Sequence, residues 1–158
     1  MSISRTEVIK YFVEPALLNL RMLGRFTGYD LASQGIKDLI ACVGQVETRY
    51  EAIRQYGNGP ARTFWQMEPA TWEDHKRWLA AKGVRSYDNT TLEYLCQDPV
   101  AACEAVRFHF MRRPGSIPQP GPGYEEAIAA LHKSAYNTAM GKADLTTNVK
   151  IIREYLKT

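Results

Sequence analysis

Cysteine is scarce in this chain, with Cys42, Cys96 and Cys103 the only three among 158 residues. An odd count without a Cys-x-x-Cys pair excludes a disulfide framework and a zinc ribbon, so reduced thiols are expected. Histidine is equally sparse. His75, His109 and His132 never fall at a metal-ligand spacing such as His-x-x-x-His, so no metal is predicted, and no motif calls for a cofactor. No stretch approaches the roughly 20 apolar residues of a membrane span. The opening Met1-Ser2-Ile3-Ser4-Arg5 lacks the basic-then-apolar order of a signal peptide, which predicts synthesis and folding in the cytoplasm. Basic residues form no tract either: 20 Lys and Arg against 17 Asp and Glu leave +3, too little and too scattered for a nucleic-acid footprint.

What is present is an ordinary globular composition, 45% hydrophobic and 23% charged, which excludes a wholly disordered, collagen-like or coiled-coil chain. At this length one core with at most a small appendage is expected. Ser4 and Glu7 stand at capping-box spacing, so a first helix should begin near Arg5 and be interrupted at Pro15. Leu17, Leu18, Leu20 and Leu23 continue an apolar helical segment up to Gly24. Ile36, Leu39, Ile40, Val43 and Val46, at offsets 0, 3, 4, 7 and 10, mark one face of a helix, and Glu47 follows at offset 11 on the same face.

Gly57-Asn58-Gly59-Pro60 is a turn, and Phe64-Trp65-Gln66-Met67 lacks helical periodicity, which leaves short strands or an ordered loop. Further helices are predicted from Thr71 to Gly83, from Asp98-Pro99 to just before Pro114, over 124–137 and over 147–156. Residues 114–123 hold four prolines and three glycines and should be an exposed loop. The sum is an all-α chain with minor β structure: an N-terminal helical extension over 1–30 and a main domain over 31–158, without βαβ alternation.

Glu47 is the candidate catalytic residue. A carboxyl closing an apolar helix face is partly desolvated, which favours its neutral form and suits it to act as a general acid. The structural alternative is that it turns to solvent or pairs with Arg49 or Arg62. Tyr50, Tyr56, Phe64, Trp65 and Trp72 gather just after it, at spacings that suit either a core or the apolar faces of sugar rings. Arg112 and Arg113 either meet an anionic polymer or solvate a helix end.

Glu47-Thr48, the segment Gly59-Pro60-Ala61-Arg62-Thr63-Phe64-Trp65-Gln66-Met67-Glu68-Pro69-Ala70-Thr71, and the later Ala135-Tyr136-Asn137 resemble, in that order, the three motifs of the lysozyme-like lytic transglycosylases and goose-type lysozymes. Those motifs are a helix-terminal Glu followed by Ser or Thr, a Gly-Ala-x-Gly-Leu-x-Gln-x-x-Pro-x-Thr segment, and an Ala-Tyr-Asn triplet. The version here is most similar to lysozyme-like proteins of tailed bacteriophages. Ala61, Gln66, Pro69, Ala70 and Thr71 fall in register, whereas Thr63 and Phe64 stand where the pattern has Gly and Leu, and Thr138 replaces the Gly after the triplet.

The resemblance implies a lysozyme-like multi-helix domain that cleaves the β-1,4 bond between N-acetylmuramic acid and N-acetylglucosamine, as a lytic transglycosylase or a muramidase. Glu47 would be the general acid. Thr48, Gln66, Tyr136 and Asn137 would bind substrate, with Tyr136 orienting the Glu47 carboxyl and with Trp65 and Tyr56 against glycan. An anhydro-forming enzyme needs one acid, while a hydrolase needs a second, for which Glu68 leads Glu51, Glu73 and Asp74. The implied partners are peptidoglycan glycan strands and other virion proteins, with no nucleic acid. The implied place of action is the bacterial cell wall, reached as an endolysin or aboard the virion. The rival expectation is a virion structural or assembly protein that keeps the fold with little or no activity.

Overall fold

Ser4 accepts a hydrogen bond from the Glu7 amide while the Glu7 carboxylate takes one from the Ser4 amide, and helix α1 (Arg5–Val8) starts on that reciprocal cap. The structure, a computed structural model, describes residues 3–55, 57, 59–136 and 144–158. A π turn (Ile9–Val13) carries α1 directly into α2 (Glu14–Leu23). Pro15 therefore does not interrupt the helix as expected. It sits in the first turn of α2, and the widened turn before it accommodates a residue that has no N–H to give.

Gly24, at φ 67°, ends α2 in the left-handed conformation that glycine adopts at no steric cost. Helix α3 (Gln34–Thr48) starts on Ser33, whose hydroxyl accepts the Ile36 amide. Ile36, Leu39, Ile40 and Val43 of its predicted face are buried and Val46 is half-buried, but Asp38, Ala41, Cys42 and Gly44 are buried too, so most of α3 is enclosed. The π turn, α6 and α8 pack around it, and Val8, Val13, Leu17 and Leu20 of the N-terminal segment join the same core.

Helix α4 (Pro69–Ala81) begins two residues before the expected Thr71, with Pro69 in its first turn. The short α5 (Leu92–Gln97), capped by Thr91, leads to α6 (Pro99–Met111), capped by Asp98 through the Ala101 amide. Helix α7 (Tyr124–Leu131) runs into a second π turn (His132–Tyr136), and α8 (Leu145–Tyr155) starts on Asp144. The chain is mostly helical with almost no strand, an all-α fold with minor β structure. Two isolated antiparallel bridges, Arg54 with Arg62 and Arg62 with Met67, supply β pairing where helical periodicity was lacking. No helix among the described residues is long and apolar enough to cross a membrane.

Two irregular segments are seated on α3, each over a glycine. A Cβ at Gly44 would stand 2.3 Å from the Tyr50 ring, and one at Gly35 would stand 1.9 Å from the Pro118 carbonyl oxygen. The proline-rich loop is thus more than exposed chain: the Gln119 side chain accepts the Gly35 amide and donates to the Ser33 hydroxyl, and Ile117 packs on the core.

Candidate active site

Glu47 lies in the last turn of α3, where the chain must reverse beneath it. Arg49 and Tyr50 make the reversal at φ 53° and 57°, left-handed backbone that side-chain-bearing residues rarely adopt. Buried ties hold them there. The Thr48 hydroxyl donates to the Phe64 carbonyl at 2.8 Å and accepts the Tyr50 amide at 3.2 Å, while the Tyr50 phenol donates to the Ala41 carbonyl at 2.6 Å. Trp65, fully buried, donates its indole N–H to the Ile40 carbonyl at 2.9 Å. Thr63 and Gln66 turn the chain again at φ 69° and 53°, and the Gln66 amide donates to the Thr63 carbonyl at 2.9 Å.

The Glu47 side chain keeps 22% of its surface, and its Oε1 accepts a hydrogen bond from His132 Nε2 at 2.9 Å. The His132 ring is sealed at 1% exposure, and its Nδ1 has no partner. That orphan fixes the tautomer: a proton on Nδ1 would be an unpaired buried donor, whereas a proton on Nε2 is used by Glu47. Tyr136, four residues on in the same π turn, stacks on His132 and donates its phenol to the Trp65 carbonyl. Burial, with Glu47 nearby adding to it, pushes this phenol well above its usual range, so it keeps the proton that it donates to Trp65.

Behind the π turn lies a second histidine arrangement. Arg112 donates to His75 Nδ1 at 3.0 Å, His75 Nε2 lies 3.2 Å from His109 Nδ1, and His109 Nε2 lies 2.6 Å from the Ala135 carbonyl. A guanidinium only donates and a carbonyl only accepts, so both rings carry their proton on Nε2 and point the same way. Burial pushes His75 down to about 3 and His109 down to about 4, which keeps both neutral. The relay anchors the turn that presents His132 and Tyr136.

The predicted residues therefore take different places. Glu47 and Tyr136 come together, but the Tyr136 hydroxyl is spent on Trp65, and His132 is the residue that orients the carboxyl. Thr48 and Trp65 are buried ties beneath the site, not a glycan-facing surface. Gln66 is half-buried and closes its own turn. Glu68 is exposed at the N-cap of α4 without a side-chain capping bond. Tyr56 and Asn137 lie outside the described residues. The ion pair considered for Arg62 goes to Glu93, at 3.1 Å.

Sequence reasoning missed His132, although its spacing of four from Tyr136 places both on one helix face. Among the described residues no three His, Cys, Asp or Glu side chains gather in a way that would hold a metal. What the geometry offers is a carboxyl with one oxygen pinned from behind and part of its surface open, an arrangement suited to moving a proton at its other oxygen. In comparison with known proteins, the chain matches no protein-family model, and no characterised protein or solved structure is significantly similar to it.

Proposed function

We propose that the protein is a peptidoglycan-cleaving glycosidase of the lytic transglycosylase or muramidase type, with Glu47 as its general acid. The observation that carries the reading is the partly exposed Glu47 carboxyl held at Oε1 by a buried imidazole. Two further bonds support it by joining the three motifs: Thr48 to Phe64 links the first to the second, and Tyr136 to Trp65 links the third to the second. Thr63 supports it too, because the residue standing where the motif has glycine adopts φ 69°, a glycine conformation.

In this reading Oε2 carries the proton and delivers it to the glycosidic oxygen as the bond to the sugar breaks, while His132 keeps the carboxyl from rotating. The carboxylate left behind then takes a proton from the muramic acid 6-hydroxyl, closing a 1,6-anhydro ring, or from water. Thr48, Gln66, Trp65 and Tyr136 serve by building the floor that aims Glu47.

Mass spectrometry of purified peptidoglycan treated with the protein tests this, since anhydro, reducing and unchanged ends distinguish the outcomes. Glu47→Gln should lower the rate about 10² to 10⁴-fold, the range general acid catalysis supplies. His132→Phe should lower it about 10²-fold, as expected for a misplaced catalytic group, and His132→Gln, which restores a donor, should recover part of that.

The assembly-protein reading has its own support in Tyr11, Leu18 and Met22, apolar side chains that remain 56%, 47% and 77% exposed along the N-terminal segment. A folded wild-type protein that releases no muropeptide at any pH would remove the enzymatic reading and leave that one.

A further inference from the structure

Two sealed polar atoms behind Glu47 are of complementary kinds. His132 Nδ1, the ring nitrogen not used by Glu47, has no hydrogen-bond partner among the described residues, and neither has the side-chain Nδ2 of Asn148, a residue 5% exposed. With the ring proton on Nε2, Nδ1 is a bare acceptor, whereas a side-chain amide nitrogen only donates. A buried group left unmatched carries its full desolvation penalty, so a lone acceptor and a lone donor in one part of a core are drawn to a common solution.

Helices α7 and α8 bring the two residues to one level. They pack together with the first turn of α7 beside the last turn of α8, since Arg153 lies 3.2 Å from Glu126 and 4.0 Å from Glu125, and they therefore run antiparallel. Next to that ion pair, Ile128 and Ile152 are fully buried on the two helices. Four residues on from Ile128 is His132, and four residues back from Ile152 is Asn148. A step of four keeps to one face of a helix, and equal steps in opposite directions along antiparallel helices end opposite each other. Both residues are buried, as are Tyr124 and Ile128 before His132 and Ile152 and Tyr155 after Asn148.

We infer that Asn148 is a positioning residue of the Glu47 site, its side-chain amide holding His132 Nδ1 through one buried water. The water donates to Nδ1 and accepts from Asn148 Nδ2, the role that buried waters play between polar groups otherwise left unsatisfied. The imidazole is then fixed at both nitrogens, by Glu47 at Nε2 and from α8 at Nδ1, while Tyr136 stacks on its face. The ring can neither flip nor change tautomer without breaking a buried bond, so Glu47 Oε1 is met by a donor of fixed direction. The part this plays in catalysis rests on the reading of Glu47 as a general acid; the link from Asn148 to His132 does not.

The test is NMR of the full chain labelled with 15N, at pH 7. In the wild type the Asn148 side-chain amide protons should show cross-peaks to a long-lived water and to the His132 ring protons. In Asn148→Leu, which keeps the bulk and removes the donor, the His132 Nδ1 resonance should move toward that of a bare imine nitrogen. In Asn148→Asp, an acceptor opposite Nδ1 should hold a second proton on the ring. Should Asn148→Asp not fold, the wild-type and Asn148→Leu spectra decide. Absence of either cross-peak, an unchanged His132 Nδ1 in Asn148→Leu, or a singly protonated ring in folded Asn148→Asp would each overturn the inference. On peptidoglycan, Asn148→Leu should lower kcat about fivefold to tenfold with KM unchanged, the scale of one positioning hydrogen bond. An unchanged kcat in an active enzyme would overturn the positioning role. A wild type that releases no muropeptide would remove the glycosidase reading instead, with the link still decided by the spectra.

Discussion

The two irregular segments seated on α3 solve the same geometric problem in opposite ways. In 112–123 every left-handed residue is a glycine, Gly115, Gly121 and Gly123. Among the described residues of 49–68 four of the five are not: Arg49, Tyr50, Thr63 and Gln66 hold φ between 53° and 69°, and of these five only Gly57 is free of the steric penalty. Each such residue costs about 1 kcal/mol or more and persists only where its surroundings over-determine it. The loop 112–123 needs no such support and is fixed largely by Gln119 and Pro118. The segment next to Glu47 is clamped by Thr48, Tyr50 and Trp65, so strain and buried ties concentrate beside the candidate acid.

Acid should have the largest effect, because the relay from Arg112 through His75 and His109 to Ala135 joins the root of the glycine loop to the π turn behind Glu47. Folded-state values of about 3 and about 4 lie below the ordinary histidine value near 6.5. The unfolded chain therefore binds protons more readily, so this stability is complete above about pH 6.5 and is lost as pH falls toward 4 and then 3. Denaturant unfolding between pH 7 and pH 4 should show a loss of a few kcal/mol, with a shallower slope in His109→Gln. Flat stability across that window would remove the relay.

Alanine at the two seat glycines comes next. Gly44→Ala drives a Cβ into a buried ring whose hydroxyl is held by Ala41, and a cost of about 3 kcal/mol is expected despite alanine's better helix propensity. Gly35→Ala meets the Pro118 carbonyl of a loop tied to α3 mainly through the exposed Gln119 side chain, so a smaller cost of about 1 kcal/mol is expected. Thermal unfolding of both variants checks the order, and the reverse order would break the comparison between the two segments. An effect as small as that at Gly35 is expected at Thr63, where Gly should be more stable than Ala by about 1 kcal/mol because Ala retains the Cβ that φ 69° penalises. Alanine equal to or better than glycine there would mean that the backbone relaxes.

Much of the helical frame was legible because its signals are local. Ser4 with Glu7, Asp98 with Pro99, and Gly24 each mark a helix end within a few residues. Helix α5 was not legible, since six residues are too few to show a period. The π turns left no trace either, because a single widened turn does not alter the apolar pattern on either side. At the site, Glu47 could be found from the face of α3. Its partner His132 lies 85 residues away, in a pairing that no local pattern encodes. The aromatics after Glu47 were read as possible sugar contacts because their spacing is the same for a core and a cleft, and only burial separates Trp65 from a surface platform.

The ties between the first and last helices reach further than packing. The Arg5 amide donates to Thr158 Oγ1 at 2.9 Å, the Thr6 hydroxyl donates to the Thr158 carbonyl at 3.0 Å, and the Tyr155 phenol donates to the Ile3 carbonyl at 3.2 Å. Residues 3 and 158 are therefore neighbours, and the backbone path is close to a ring. A few glycines joining them, with the chain reopened at the exposed Lys82-Gly83 turn, would leave every helix and both seats on α3 in place. Such a circular permutant changes the order in which contacts are closed during folding but not the set of contacts, so the folding rate would carry the change while the folded architecture is kept.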